Sequence, residues 1–398
     1  MSNLAERTLL IKPSVTLAIA AKAGKLRSEG IDVINFSAGE PDFDTPERIK
    51  AAAIEALKRG MTKYTDVRGI EPLREAIAQK YLSEYGLKYQ ISEVLVSCGA
   101  KHSLYNLFQA VVNPGDEVLI PAPYWVSYAD MALLAGGVPK VIPTSEASGF
   151  RISAEQLAEA LSWRTRVFIL NSPNNPTGAS YEKSELVAIA QVLERNNCLI
   201  ITDDIYEKIV YDGLTIQNLV ALAPSLRDRT VIVNGVSKSY AMTGWRIGYA
   251  LGPTDIISAA GKIQSQSTSN PTSIAQAAAL EAIRGPQEDV SMMVGEFQKR
   301  RNLVIERLNA IGGIQCFKPQ GAFYVFLNIA AFIGKAGNGK KLTSPCDIAD
   351  YLLEEAKVAA VPGEDFGSNA HIRLSYATSL ENIEEGCRRM RDAFAKIH

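Results

Sequence analysis

Apolar residues follow two rhythms through the first 290 positions of this 398-residue chain. Short, continuous, β-rich runs recur: "EVLVS" (93–97), "EVLIP" (117–121), "RVFIL" (166–170), "LIIT" (199–202), "TVIVN" (230–234) and "RIGYAL" (246–251). Between them lie longer stretches whose apolar residues are three and four apart. In "YEKSELVAIAQVLERNN" (181–197), Leu186, Ile189, Ala190 and Leu193 repeat at helical spacing. Strands that are apolar throughout must be covered on both faces, and the intervening helices supply that cover. The pattern predicts an α/β fold with a mostly parallel sheet between two helical layers.

After about residue 290 the rhythm changes. A long charged helix, "GEFQKRRNLVIERLNAIGG", leads to "AFYVFLNI", then a helix near "PCDIADYLLEEA", then "HIRLSYA". This is an α+β pattern and predicts a second, smaller domain. "GNGKK" (337–341) reads as a flexible loop. The last helix opens on a capping box of Thr378 and Glu381 and places Ile383, Cys387, Met390, Phe394 and Ile397 on one face.

Composition removes several function classes. Lys plus Arg number 42 and Asp plus Glu 43, so the basic excess expected of a nucleic-acid or anionic-membrane surface is missing. No apolar run approaches the roughly 18 residues of a membrane helix. The start, "MSNLAERTLLIKPS", has no apolar core followed by a small-residue cleavage site. Cys98, Cys198, Cys316, Cys346 and Cys387 are scattered and form no C-x-x-C. They point to a reducing, cytoplasmic setting and to neither disulfides nor zinc. His102, His371 and His398 show no metal spacing.

Chemistry gathers where the apolar runs end. "VLVS" is followed by "CGAKH", and "RVFIL" by Asn171 and "SPNNPTG". "LIIT" is followed by Asp203, Asp204 and Tyr206, and "VIVN" by "GVSK". In open α/β sheets ligands bind at the carboxyl edge of the strands, so four such endings predict one shared site. Lys238 in "SKS" would, by itself, be an ordinary solvated loop lysine. A desolvated lysine beside an aspartate, a helix start and an arginine is a different matter. Such a lysine forms a Schiff base with an aldehyde. Pyridoxal phosphate needs that lysine, an acidic partner for its ring nitrogen, and a phosphate site. Asp203 supplies the acid, the helix start in "SCGAKHSLYN" supplies N–H groups, and Arg246 is placed to clamp phosphate.

"SKSYAMTGWRIGY" resembles the lysine region of the class I aminotransferases, fold type I among pyridoxal phosphate enzymes. "FSAGEPDFDTP", "NSPNNPTG" and "TDDIYEKIVYDG" are similar to the family's other landmarks, in the family's order. The resemblance runs from "LIKPSVTLAI" to "HIRLSYA", and "KPS" with "GWRIGY" resembles the bacterial-type aspartate aminotransferases. It implies residue roles. Lys238 would be the Schiff-base lysine and the proton carrier, and Asp203 would pair with the pyridinium nitrogen. Tyr206 and Asn175 would hydrogen-bond the ring hydroxyl, and Trp125 would stack on the ring and border the substrate. Ala100 and Lys101 would give backbone N–H groups to the phosphate, with Ser237 and Arg246 adding side chains. Tyr64 would reach the phosphate of a neighbouring subunit, which implies a homodimer with shared sites. Gly39, Asn175 and Arg373 would hold the substrate carboxylate.

The resemblance also implies the substrate. Lys101, helped by Ser14 and Thr16, would meet a second, distal carboxylate. A lysine in the first turn of a helix opposes the helix dipole, so anions nearby make sense of it. The implied activity is reversible transfer of the amino group of L-aspartate to 2-oxoglutarate. Lys12 stands where relatives accepting prephenate carry an extra basic residue. Transfer among aromatic or neutral amino acids, or a lyase or synthase reaction on the same fold, stays open at this point. The implied domains are 45–290 for the cofactor and 1–44 with 291–398 for the smaller part, with "LIKPSVTLAI" as a lid strand over the substrate.

Overall fold

The computed structural model describes residues 4–11, 13 and 15–398. A helix over Val15–Ser28 and a short strand, β1 (Ile34–Asn35), precede the first apolar run. The expected lid strand is therefore helical from Val15 onward. "VTLAIAAKAGKL" is dense in alanine, leucine and lysine, which favour helix over extended chain.

A seven-stranded sheet forms the centre: β2 (Val94–Ser97), β3 (Glu117–Pro121), β4 (Val138–Ile142), β5 (Thr165–Asn171), β6 (Leu199–Asp203), β7 (Thr230–Gly235) and β8 (Gly248–Leu251). Its spatial order is β2-β8-β7-β6-β5-β3-β4. Alternate residues serve opposite helical layers. Leu95, Val118, Ile169, Ile201 and Val231 join one apolar cluster, while Leu119, Phe168, Leu170 and Ile200 join another. All nine are essentially buried, as strands covered on both faces must be.

The sheet is mostly parallel, as expected, with one reversal. Strand β8 runs antiparallel to both its neighbours, β2 and β7. Strand β4, which the apolar pattern did not reveal, lies at the sheet edge. It contains Pro139, which an edge strand tolerates because one side of its ladder is unpaired.

The chain then enters the long helix Glu288–Asn309 and a four-stranded antiparallel sheet. Its strands are β9 (Gln315–Cys316), β10 (Tyr324–Asn328), β14 (Val361–Pro362) and β15 (His371–Ser375). Between these lie a hairpin, β11 (Ala336–Gly337) with β12 (Lys340–Lys341), and the short strand β13 (Val358–Ala359). "GNGKK" is thus a tight hairpin and not a flexible loop. Asn338 and Gly339 both take positive φ, +50° and +71°, as a two-residue hairpin turn requires. β1 pairs in parallel with β13, so the start of the chain joins its C-terminal part. Ile34 and Phe36 pack in one apolar cluster with Phe297, Tyr324, Leu352 and Phe394. The final helix, Leu380–Phe394, is capped by Ser379, whose hydroxyl accepts from the Asn382 N–H; Thr378 lies one residue too early to cap it. Among the described residues no helix is long and apolar enough to cross a membrane.

Candidate active site

The reversal of β8 explains the layout of the site. β5, β6 and β7 are mutually parallel, and two successive antiparallel pairings bring β2 back to the same direction. The carboxyl ends of β2, β5, β6 and β7 therefore share one edge. The amino end of β8 meets them there, which is why Arg246 precedes its strand while Ser97, Asn171, Asp203 and Gly235 end theirs.

Lys238 lies three residues past β7 and its Nζ donates to the Gly39 carbonyl oxygen at 2.6 Å. Burial pushes its amine down to about 8, against a smaller upward pull from Glu40. Asp203, 4% exposed, accepts from the Tyr128 hydroxyl at 2.6 Å and from the Ile205 N–H at 3.3 Å. Burial nevertheless raises its carboxyl to about 6. Asp204 turns elsewhere: the Asn218 amide donates to it at 3.4 Å, and burial with Glu207 and Asp203 beside it holds its carboxyl well above the usual range. The Trp125 ring meets the Tyr128 ring edge-on at 5.3 Å, and Lys101 Nζ lies 4.9 Å from the Trp125 centroid. Burial, then Arg246, lowers the Lys101 amine.

The other end of the cleft is a cradle built by glycine. Gly99 takes φ +90° before the helix Ala100–Val111 and its carbonyl accepts from the His102 and Ser103 N–H groups, while the Ala100 and Lys101 N–H groups ahead of them have no carbonyl of that helix to bond. A Cβ on Gly99 would sit 2.5 Å from Arg246 Nη2, and one on Gly248 would sit 2.0 Å from the Ala100 nitrogen. Only glycine lets the helix start, β8 and the guanidinium come this close. Arg246 Nη1 donates to the Thr243 carbonyl at 2.8 Å. Ser237 is buried one residue before Lys238.

Arg373, on β15, is 2% exposed. Its Nη1 donates to Asn175 Oδ1 at 3.1 Å and its Nη2 to the Ser37 carbonyl at 3.0 Å, while Nε is buried with no partner among the described residues. Asn171 Oδ1 accepts from the Asn175 N–H at 3.0 Å and fixes the turn after β5. Tyr206 shares a 2.9 Å hydrogen bond with Tyr324. Hydrogen bonds and ring or ionic contacts thus draw Gly39, Lys101, Trp125, Asn175, Asp203, Tyr206, Lys238, Arg246 and Arg373 to this sheet edge. Tyr64 stands apart, 89% exposed. Lys12 and Ser14 lie outside the described residues. Thr16 falls in the Val15–Ser28 helix, with its side chain outside the description.

A class I and II aminotransferase model matches residues 31–390. The chain belongs to the class I and II aminotransferases. It is 51% identical to an aspartate/prephenate aminotransferase of Cereibacter sphaeroides, over 98% of both chains. Among solved structures, an aspartate aminotransferase from Rhizobium meliloti superposes with a TM-score of 0.96, at 46% identity over 100% of both chains. One from Thermus thermophilus with maleate gives 0.92, at 43% identity over 99% of this chain and 100% of that one.

The cofactor of these aminotransferases is pyridoxal phosphate, and the residues fit it. A buried carboxylate at about 6, held only by neutral donors, is the partner a cationic ring nitrogen needs. A buried amine lowered to about 8 is the partner an aldehyde needs. The glycine-built cradle with Arg246 suits a phosphate.

Two residues that bond to candidate site residues, Tyr128 and Tyr324, carry no clear signal in the sequence. Tyr128 lies one helical turn past Trp125 and reads as core, since nothing local says that Asp203 will stand opposite it. Tyr324 alternates with Phe326 along an apolar strand and reads as packing. For Tyr324, the available signal was the period-two spacing that puts it on the same face as Arg373.

Proposed function

We propose that the chain is an aspartate aminotransferase, moving the amino group of L-aspartate reversibly to 2-oxoglutarate to give oxaloacetate and L-glutamate. The observation that carries this reading is the Arg373 fork: a buried guanidinium, oriented by Asn175 and Ser37, with Nε unpartnered among the described residues. Such a group calls for an anion, and a substrate carboxylate is one. Lys101, desolvated against Trp125, is the second cation a dicarboxylate needs.

Bound in the cleft, pyridoxal phosphate supplies an aldehyde for an amine and a ring that accepts electrons. The chain supplies the rest. Asp203 would hold the ring nitrogen's proton, with Tyr128 orienting Asp203. Trp125 would border the ring, and Asn175 and Tyr206 would hydrogen-bond its hydroxyl. Ala100, Lys101, Ser237 and Arg246 would bind the phosphate. Arg373 and Gly39 would hold the substrate carboxylate. Lys238, its amine lowered to about 8 by burial, would be the group that moves the proton.

The exposure of Tyr64 supports a homodimer in which that residue serves the partner's phosphate site. The apolar clusters support a division at about 45 and 290, with the Glu288–Asn309 helix bridging it: Val290 packs with the large sheet's cover and Phe297 with the small domain. Five free thiols support a cytoplasmic setting. Prephenate as a further substrate is favoured by the name of the Cereibacter relative, with Lys12 as the residue to test.

The test of the dicarboxylate reading is Lys101→Ser, assayed with aspartate and with alanine. Aspartate should lose about ten- to a hundredfold in kcat/KM, the worth of one charge-assisted hydrogen bond, and alanine far less. Equal losses would reduce Lys101 to a phosphate-site residue.

A further inference from the structure

We propose that Tyr324 is a positioning residue joining the two halves of this site: its ring carries Arg373 and its hydroxyl arms Tyr206. The proposal rests on the aminotransferase reading above and assigns a role to a residue outside the groups that touch substrate or cofactor in it.

The ring half follows from strand register. In the β10–β15 pair Tyr324 stands opposite Ser375, and Phe326 opposite Arg373, so Tyr324 is the diagonal neighbour of Arg373 on one face. The same diagonal step places Phe326 flat against His371, with centroids 4.6 Å apart and planes 6° apart. At the next rung the Arg373 guanidinium carbon is 4.5 Å from the Tyr324 centroid and 5.0 Å from that of Phe366. Two aromatic rings thus flank the guanidinium while Asn175 and Ser37 tie its Nη1 and Nη2. The fork is set before any carboxylate arrives.

The hydroxyl half follows from proton counting. Tyr206 and Tyr324 are 2% and 1% exposed, and their oxygens are 2.9 Å apart. Each phenol has one proton to give. If Tyr206 donates its proton to the ring oxygen of the cofactor, the bond between the two phenols must run from Tyr324 to Tyr206. Accepting that bond makes Tyr206 a stronger donor. The Tyr324 oxygen also lies beside Gly39, 3.5 Å from where a Cβ there would be, and the Gly39 carbonyl accepts the hydrogen bond of the Lys238 amine. The segments carrying Gly39, Tyr206 and Arg373 all meet at this one side chain.

A tyrosine present only for packing would tolerate phenylalanine without consequence. The experiment compares holoenzymes carrying Tyr324→Phe and Tyr324→Leu with the unsubstituted protein. Three readouts are taken: the midpoint of the pH-dependent absorbance of the bound cofactor, the dissociation constant of maleate from a spectral titration, and kcat with aspartate. Tyr324→Phe keeps the ring and loses the bond to Tyr206. A weaker donor stabilises the cofactor's ring oxyanion less, so the midpoint rises by roughly half a unit and kcat falls about threefold. Maleate binding stays within about twofold. Tyr324→Leu also removes the ring, and maleate binds about tenfold more weakly. An unchanged midpoint in Tyr324→Phe overturns the proposal, as does maleate binding weakened equally in both variants. If the leucine variant does not fold, the phenylalanine midpoint alone decides. The midpoint shift needs no turnover: an unsubstituted protein inactive on aspartate sinks the substrate reading, and the shift still tests Tyr324.

Discussion

Replacing Asp203 by asparagine should stabilise the cofactor-free protein while ruining its hold on the cofactor. The carboxylate sits at the end of β6 with 4% of its surface exposed, and its side-chain donors are the Tyr128 hydroxyl and the Ile205 N–H. Burial outweighs these donors and lifts the pKa from 3.8 to about 6. A carboxyl raised in the folded state stabilises the fold fully only below its unfolded value, and that contribution is lost as pH rises through about 6. Above that, the shift of about two units corresponds to roughly 3 kcal/mol of destabilisation by the ionised group. Asparagine keeps the shape, can accept from Tyr128, and does not titrate. Cofactor-free Asp203→Asn should therefore be the more stable protein at pH 8, with a margin about 1.5 kcal/mol wider there than at pH 5. Urea unfolding of both proteins at several pH values measures the margin. Adding pyridoxal phosphate should reverse the order, because the native carboxylate then meets the ring nitrogen and the amide does not. A margin independent of pH, or one that shrinks toward pH 8, would refute the reasoning.

Two further substitutions separate chemistry from binding. Lys238→Ala should abolish transamination and still bind pyridoxal phosphate through the cradle of Ala100, Ser237 and Arg246; near-normal turnover by this variant would contradict the assigned role. Tyr128→Phe removes the 2.6 Å hydrogen bond to Asp203, so cofactor affinity measured by equilibrium dialysis should fall about three- to tenfold; full affinity would mean that Asp203 needs no orienting partner.

Much of the fold was legible because buried strands leave continuous apolar runs. β3 spans the same residues as "EVLIP", and the runs beginning at 166, 199 and 230 differ from β5, β6 and β7 by a residue or so. Strand direction was not legible. "RIGYAL" looks like its neighbours, and nothing in a six-residue run says whether its partners run with it or against it. β4 was hidden because Pro139 and Lys140 break its apolar pattern, as suits an exposed edge. The candidate chemistry was legible at strand ends, where polar residues stand out against apolar ones. It was not legible where the partner of a candidate residue is itself aromatic and buried, as Tyr128 beside Asp203 and Tyr324 beside Tyr206 are. The glycines gave a mixed signal. The one in "CGAKH" opens a helix, but the need for Gly248 comes from the Gly99–Ala100 backbone on another element.

Lys101 beside Trp125, with Arg373 across the site, should make this site select a dicarboxylic amino donor. The most direct measurement is the single-turnover conversion of the bound cofactor to its amino form, followed by absorbance, with aspartate, glutamate, alanine and phenylalanine as separate donors. Aspartate and glutamate should react with a kcat/KM at least about tenfold above alanine, as expected if Lys101 contributes one charge-assisted hydrogen bond to the distal carboxylate. Alanine reacting as efficiently as aspartate would contradict it.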